Sequence, residues 1–282
     1  MLISTKSVNL LSDNIRVSSE TFCSGLFLSA RWFVVSQLDY DGFQMIVLPD
    51  KDSAEYCAAD LYNLVEGDRI FFLPDSGKTL ERSNYKSTLG VQRTSAIGKI
   101  LEYEEGKLIV VTYPSALEEG IPDGKAINES VLHLTVGDEI SHERIVETMF
   151  ENGFEKVDFV AEPGQFAIRG AIVDIFSYSY NDPFRISFFG DEIDSISVFD
   201  CNTQLSKEKI HKAQIYPDIT LSDDESGLVN ISDILPDDAL IWLDSSDTYR
   251  NKDIFSMTEK FRRIFMELPL SRQNEEPIKF NI

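Results

Sequence analysis

Residues 24–31 are the first place in the sequence where residue types and spacing could bind a phosphate. An α/β nucleotide hydrolase places the loop G-x-x-x-x-G-K-[ST] before a helix, so that backbone N–H groups and a lysine hold the phosphates. The stretch contains Gly25 but lacks the second glycine, the lysine and the hydroxyl that binds Mg²⁺. We therefore interpret Gly25, Ser29, Ala30 and Arg31 as a degenerate phosphate loop, and we expect no nucleotide hydrolysis.

Other side chains that could catalyse a reaction or bind a metal are scattered. The histidines have no cysteine or second histidine at ligand spacing, which is typical of surface or cap residues; they are His133, His142 and His211. No G-x-S-x-G motif is present. The sequence therefore predicts no catalytic residue, no metal site and no cofactor.

Composition and charge narrow the class of protein further. The 282 residues carry 26 Lys and Arg against 48 Asp and Glu, a net charge of −22. A general nucleic-acid binder normally has the opposite sign, because phosphate contacts dominate its affinity. The widely spaced Cys23, Cys57 and Cys201 favour a reducing cytosol, and no apolar run approaches the roughly 18 residues of a membrane span. We expect a cytoplasmic protein without membrane contact.

The first part of the chain, residues 1–126, alternates apolar strands with helices. We predict strands over 31–37, 43–48, 69–73 and 108–113, and helices over 52–65 and 87–101. Asp52, with Glu55 three residues later, is predicted to cap the first of these helices. Alternation of this kind with apolar strands favours a parallel α/β sheet.

The spacing of strands changes near residue 127. A helix is predicted over 141–152, and strands over 131–136, 156–160, 165–176, 184–189 and 193–199. Closely spaced strands without intervening helices favour an antiparallel sheet, so residues 127–213 are predicted to be a separate α+β domain. The α/β pattern returns over 214–282, with a strand at 239–243 and a largely helical stretch at 246–266. Residues 268–282 show no closing element, which we interpret as a fragment cut inside a domain.

One predicted strand, residues 184–189, has an unusual outer face. Because side chains alternate along a strand, Arg185 and Phe189 lie on the face opposite Phe184 and Phe188. An arginine beside an exposed aromatic residue is typical of an interface anchor, and Arg169 could join the same face if its strand pairs with this one. The pattern also permits the opposite interpretation, in which the 141–152 helix covers Phe189 and the arginines pair with nearby acids.

Residues 162–176, EPGQFAIRGAIVDIF, resemble the G-x-[FY]-x-x-R-G-x-x-x-D-[IL]-F signature of a bacterial nucleotide-excision-repair family. Residues 184–196, FRISFFGDEIDSI, resemble its R-x-x-F-F-x-[DE]-E-I-[DE] block, and Phe199-Asp200 follow as its F-D. UvrB and the N-terminal region of the transcription-repair coupling factors, the Mfd family, share these blocks. Residues 110–117 are similar to a further strand and turn of the family.

Two differences from UvrB favour a resemblance to the coupling-factor module over UvrB itself. The phosphate loop is degenerate, and residues 76–93 are too short for the tyrosine-rich hairpin with which UvrB separates DNA strands. The resemblance implies a nonfunctional RecA-like, P-loop-type domain 1A over 1–126, an inserted domain 2 over 127–213 that binds UvrA, and a truncated domain 1B over 214–282.

The resemblance further implies that Arg169, Arg185 and Phe189 contact UvrA, and that RNA polymerase and DNA are bound only through other parts of a full coupling factor. The expected function is non-catalytic recruitment of excision repair to a stalled polymerase. Two alternatives remain open. One is a UvrB-like, ATP-dependent protein that binds damaged DNA, and the other is an acidic module that mimics DNA or binds a basic protein.

Overall fold

A computed structural model describes residues 5–27, 29–66, 69–77, 88–221, 227–244, 252–267 and 275–280. Its helices are α1 (Thr5–Val17), α2 (Ala30–Gln37), α3 (Lys51–Leu64), α4 (Thr88–Leu101), α5 (Pro114–Glu118), α6 (Gly124–Ser130), α7 (His142–Glu151) and α8 (Lys252–Thr258). Its strands are β1 (Glu20–Ser24), β2 (Phe43–Val47), β3 (Ile70–Phe72), β4 (Leu108–Thr112), β5 (Ile121–Pro122), β6 (Leu132–Thr135), β7 (Glu155–Lys156), β8 (Gln165–Arg169), β9 (Ile172–Ile175), β10 (Phe184–Phe189), β11 (Glu192–Phe199), β12 (Ser206–Ile210), β13 (Lys212–Ile215), β14 (Leu228–Val229), β15 (Leu240–Leu243), β16 (Arg262–Phe265) and β17 (Ile278–Lys279).

The chain divides into two compact units. The first contains Met1–Ser76, Lys99–Ile121 and Val229–Ile282, and the second contains Gly77–Gly98 and Pro122–Leu228. Each unit therefore combines segments that are distant in the sequence.

The first unit is built on a parallel sheet. In the described residues its strand order is β17-β1-β16-β15-β2-β4-β3, and every recorded pair is parallel. Every residue of β2, β4 and β15 is buried, as in sheets that are covered on both faces. The prediction of a parallel α/β arrangement is confirmed, as are the strands predicted over 43–48, 69–73 and 108–113.

The start of helix α3 differs from the predicted one by one residue. Asp50 is the N-cap, since its Oδ1 accepts a hydrogen bond of 2.8 Å from the backbone N–H of Ser53. Asp52 lies inside the first helical turn, so the prediction that Asp52 caps this helix is wrong. A carboxylate in that turn interacts with the helix dipole instead.

Replacing Asp50 by alanine is expected to lower the free energy of unfolding of the first unit by about 1 kcal/mol, because a backbone N–H loses its cap. Asp52→Ala is the matched control and removes only the dipole interaction, about 0.3 kcal/mol. Urea denaturation followed by fluorescence measures both, since both tryptophans, Trp32 and Trp242, lie in this unit. Equal losses in the two variants would contradict the assignment of Asp50 as the cap.

Three predictions in the first unit are wrong. Residues 31–37 form most of helix α2 instead of a strand. The stretch 246–266 contains only the short helix α8, followed by strand β16, within its described residues. Residues 268–282 include β17, which pairs with β1 and so provides an edge strand.

The second unit is built on a sheet with strand order β12-β11-β10-β9-β8-β7. All neighbouring pairs are antiparallel except β7 with β8, so the prediction of an antiparallel sheet is confirmed for most of its strands. One face packs against α7 through Ile145 and Met149. Phe150 on the same helix is 56% exposed.

The segment 165–176, predicted as one strand, is a hairpin of β8 and β9. Gly170 lies between them with φ of +60°, a backbone conformation that other residues rarely adopt. The turn makes β8 and β9 neighbours, and β10 pairs with the other edge of β9, so β9 lies between β8 and β10 in the sheet. The strand of Arg169 therefore does not pair directly with the strand of Arg185.

Candidate protein-binding site on the outer sheet face

The sheet of the second unit has two different faces. The inner face is apolar and includes Phe184, Ile186 and Phe188, which are between 0% and 6% exposed. The outer face carries Arg185, Ser187 and Phe189, as alternation along β10 predicts. A register shift after Ser187 leaves this alternation intact, since Phe188 still pairs with Ile193 on the inner face and Phe189 pairs with Glu192.

A small apolar cluster supports part of the outer face. Its buried members are Val160, Ala167, Phe176 and Phe199. Phe199 has no exposed surface, and its ring lies 4.3 Å from the Cζ of Arg185. The Arg185 guanidinium is therefore stacked on a buried aromatic ring, an arrangement that favours a fixed orientation.

Asp174 is the centre of the polar part of this face. It lies on β9, where its register partners are Ala167 on β8 and Arg185 on β10. Its carboxylate is 1% exposed. Arg185 donates to both of its oxygens, from Nε at 2.8 Å and from Nη2 at 2.9 Å, and Arg169 donates to it from Nη2. A single buried carboxylate thus holds guanidiniums that come from two non-adjacent strands.

Arg185 is almost fully engaged within the chain. Besides its two bonds to Asp174, it donates to the backbone carbonyl and to the side-chain oxygen of Gln204, at 3.1 and 3.2 Å. The hydrogen bonds to Asp174 raise the pKa of Arg185, so the guanidinium is charged at any physiological pH. Only 18% of its side chain is exposed.

Arg169 is more accessible than Arg185. Its side chain is 33% exposed, and its guanidinium carbon lies 5.1 Å from the ring of Phe159. Phe159 is itself 64% exposed. The cation and the ring therefore form an exposed pair beside the buried carboxylate.

Phe189 is one of the most exposed large apolar residues of the described chain, with 82% of its surface accessible. Helix α7 does not cover this ring, so the alternative in which the 141–152 helix covers Phe189 is wrong. The accompanying prediction that the arginines pair with nearby acids is confirmed, since both of them pair with Asp174. The face thus combines internally paired arginines with an exposed aromatic ring.

The predicted phosphate loop follows β1 and precedes α2. Gly25 has φ of +79°, and a side chain there would collide with the backbone carbonyl of Phe280. Ser29 donates a hydrogen bond of 2.6 Å to Asp60, and Ala30 begins α2. Arg31 forms an ion pair with Asp244, in which the two side chains are 17% and 8% exposed.

The remaining reactive side chains do not form a further site in the described residues. No group of three or more His, Cys, Asp and Glu side chains there could hold a metal ion. Cys23 and Cys57 are buried, and burial raises the pKa of the Cys23 thiol to about 12, so this thiol is protonated at neutral pH. None of the described helices is both long enough and apolar enough to cross a membrane.

Two residues of the outer face were not singled out from the sequence. Asp174 was not predicted to be a site residue. Its alternation with the inward-facing Val173 and Ile175 places it beside Arg185 once the hairpin turn at Gly170 is recognised. Phe159 lies in a segment predicted as a strand, but it is outside the elements that the structure assigns. Its position beside Arg169 depends on a loop path that no local pattern predicts.

The strands of this face lie within a segment that matches a known family. Residues 132–220 match the model of the UvrB interaction domain. The part of the second unit that forms this face is therefore similar to the UvrB interaction domain, and the resemblance of these residues to excision-repair proteins is confirmed.

Curated relatives extend the similarity beyond that domain. The transcription-repair-coupling factor of Bacillus subtilis is 29% identical over 201 residues, which cover 70% of this chain and 17% of that protein. That of Mycobacterium tuberculosis is 33% identical over 190 residues, covering 64% of this chain and 15% of that protein. The UvrABC system protein B of Francisella tularensis is 35% identical over 126 residues, covering 44% of this chain and 18% of that protein. The match thus spans less than a fifth of the length of each of these three relatives.

Proposed function

We propose that this chain is a non-catalytic recruitment module that binds UvrA through the outer face of β8, β9 and β10. The observation that carries the proposal is the position of Arg169, Arg185 and Phe189 on one accessible face of a UvrB interaction domain. Charged forks beside an exposed aromatic ring suit a protein interface, where arginine and aromatic residues contribute most of the binding energy.

In this proposal the parallel α/β unit is a degenerate RecA-like domain. Residues 1–126 are domain 1A, residues 127–213 are the UvrA-binding domain 2, and residues 214–282 belong to domain 1B. The ion pair between Arg31 of the degenerate loop and Asp244 supports a role without nucleotide, because both charges are already neutralised within the fold. As part of a coupling factor, the module brings excision repair to a stalled RNA polymerase in the cytoplasm.

The function is tested by titrating purified UvrA against the chain in a calorimeter. We expect saturable binding by the parent chain, and no stabilisation of the chain by ATP in a thermal melt. Binding of ATP would favour the UvrB-like alternative. Absence of UvrA binding by a folded parent chain would contradict the proposal.

A charge variant separates this proposal from the acidic-module alternative, which the net charge of −22 favours. Glu104 and Glu105 are exposed acids of the first unit, distant in sequence from the outer face. Glu104→Lys/Glu105→Lys should bind UvrA as the parent chain does if the outer face is the site. A marked loss of affinity in this variant would instead support binding through dispersed negative charge.

A further inference from the structure

The Asp174 cluster contains one more positive charge than negative charge. Two guanidiniums, from Arg169 and Arg185, share one buried carboxylate. In a chain with a net charge of −22, the cluster therefore carries a net positive charge on an accessible sheet face. One additional carboxylate would balance the cluster.

The hydrogen bonds indicate which guanidinium would receive that carboxylate. Arg185 donates from Nε, Nη1 and Nη2 to Asp174 and Gln204. Arg169 donates only from Nη2, to Asp174, so its Nε and Nη1 have no partner among the described residues. Its side chain is also almost twice as exposed, at 33% against 18%. The donors that remain for a partner belong mainly to Arg169.

We propose that Asp174 is a positioning residue that holds Arg169 as the contact cation of the surface, with Arg185 as its internal support. The partner then contributes a single carboxylate to Arg169, flanked by apolar side chains that meet Phe159 and Phe189. This inference rests on the proposed function, since it assigns the roles of residues within the same UvrA-binding face. An ion pair of this kind is specific because the guanidinium donates hydrogen bonds to the carboxylate oxygens in one plane.

The direction in which one substitution changes the affinity for UvrA distinguishes a positioning role of Asp174 from simple electrostatic attraction. Asp174→Asn removes a negative charge and makes the face more positive, so a purely electrostatic role predicts tighter binding to an acidic partner. Positioning predicts the reverse, because asparagine cannot hold two guanidiniums and Arg169 loses its fixed orientation. We expect UvrA affinity to fall at least about tenfold in Asp174→Asn. Asp194→Asn is the matched control, because it makes the same change in charge at an exposed acid of β11 and should bind at least as tightly as the parent chain.

Arg169→Gln tests the contact role itself. It removes an accessible side chain, so we expect about a tenfold loss of affinity with an unchanged melting temperature. Arg185→Gln should lower the melting temperature as well, since it removes two hydrogen bonds to Asp174, two to Gln204 and the stacking on Phe199. In Arg169→Gln, Asp174 keeps both hydrogen bonds from Arg185. The variant Arg169→Gln/Asp174→Asn should bind no more weakly than Arg169→Gln alone, whereas independent losses would multiply. Multiplied losses in a folded double variant would overturn the inference. Parent-like affinity in Arg169→Gln would overturn it even if Asp174→Asn failed to fold.

A measurement on the unbound chain tests the positioning role of Asp174 independently of whether the chain binds UvrA. In arginine side-chain NMR of the unbound chain, we expect slowly exchanging guanidinium signals from Arg169 and Arg185, and their loss in Asp174→Asn. Unchanged signals in a folded Asp174→Asn chain would overturn the positioning role whether or not UvrA binds. A parent chain that shows these signals but does not bind UvrA would contradict the proposed function alone.

Discussion

Replacing Phe189 by alanine is expected to weaken binding to UvrA about 30-fold, the equivalent of about 2 kcal/mol for an aromatic anchor. The ring is 82% exposed in the unbound chain, so its removal leaves no cavity in the core of the second unit. The free energy of unfolding should therefore remain within about 0.5 kcal/mol of the parent value. Calorimetric titration of UvrA, together with a urea denaturation curve, measures both quantities.

Tyr56→Ala provides the control for this experiment. Tyr56 is similarly exposed, at 75%, but lies on α3 in the first unit. It should bind UvrA as tightly as the parent chain, so any loss specific to Phe189 reports on the outer sheet face. Equal affinities for the parent chain and Phe189→Ala would rule out this ring as an anchor.

Replacing Arg31 by alanine is expected to lower the free energy of unfolding of the first unit by about 3 kcal/mol or more. The substitution leaves the carboxylate of Asp244, whose side chain is 8% exposed, without its counter-charge. Removing one member of a buried ion pair costs far more than removing one from the surface, because the remaining charge stays out of water. Urea denaturation followed by tryptophan fluorescence reports on this unit.

Two variants test that explanation of the loss. Arg31→Met/Asp244→Leu replaces the ion pair by apolar side chains of similar size, and its stability should approach that of the parent chain. Arg16→Ala breaks an ion pair whose side chains are 58% and 89% exposed, and should cost at most about 1 kcal/mol. A loss in Arg31→Ala no larger than in Arg16→Ala would show that the buried pair contributes little.

The outer sheet face could be predicted from the sequence because alternation along a single strand is a local property. The bounds of β10 match the predicted strand 184–189, and its inner and outer residues lie where the period of two places them. Asp174 was missed as the centre of the site because its role depends on which strands are neighbours. The turn at Gly170 makes β8 and β9 neighbours, and it was included in a single predicted strand.

Helix α2 shows a different limit of prediction from sequence. The run RWFVVSQ contains β-branched and aromatic residues, which favour strands. In the structure Trp32, Val34 and Val35 are all buried, so the helix has no broad polar face to produce a helical period. Burial on several sides of a short helix therefore removed the signal that distinguishes helix from strand. The opposite error occurred in residues 246–266, where β16 was predicted as helix. Three consecutive residues of β16 are buried, including Arg263, so this strand shows no alternation of apolar and polar residues.

The shared carboxylate also restricts how the strands can align. A shift of β9 by one residue would turn every side chain to the opposite face of the sheet. Asp174 would then enter the apolar cluster around Phe166 and Ile186, and Val173 would lie beneath two uncompensated guanidiniums. Because burying an unpaired charge costs several kcal/mol, such misaligned pairings are disfavoured from the moment the hairpin docks on β10. The ionic cluster thus favours a single strand register, in which the apolar side chains are buried on one face and the charges are paired on the other.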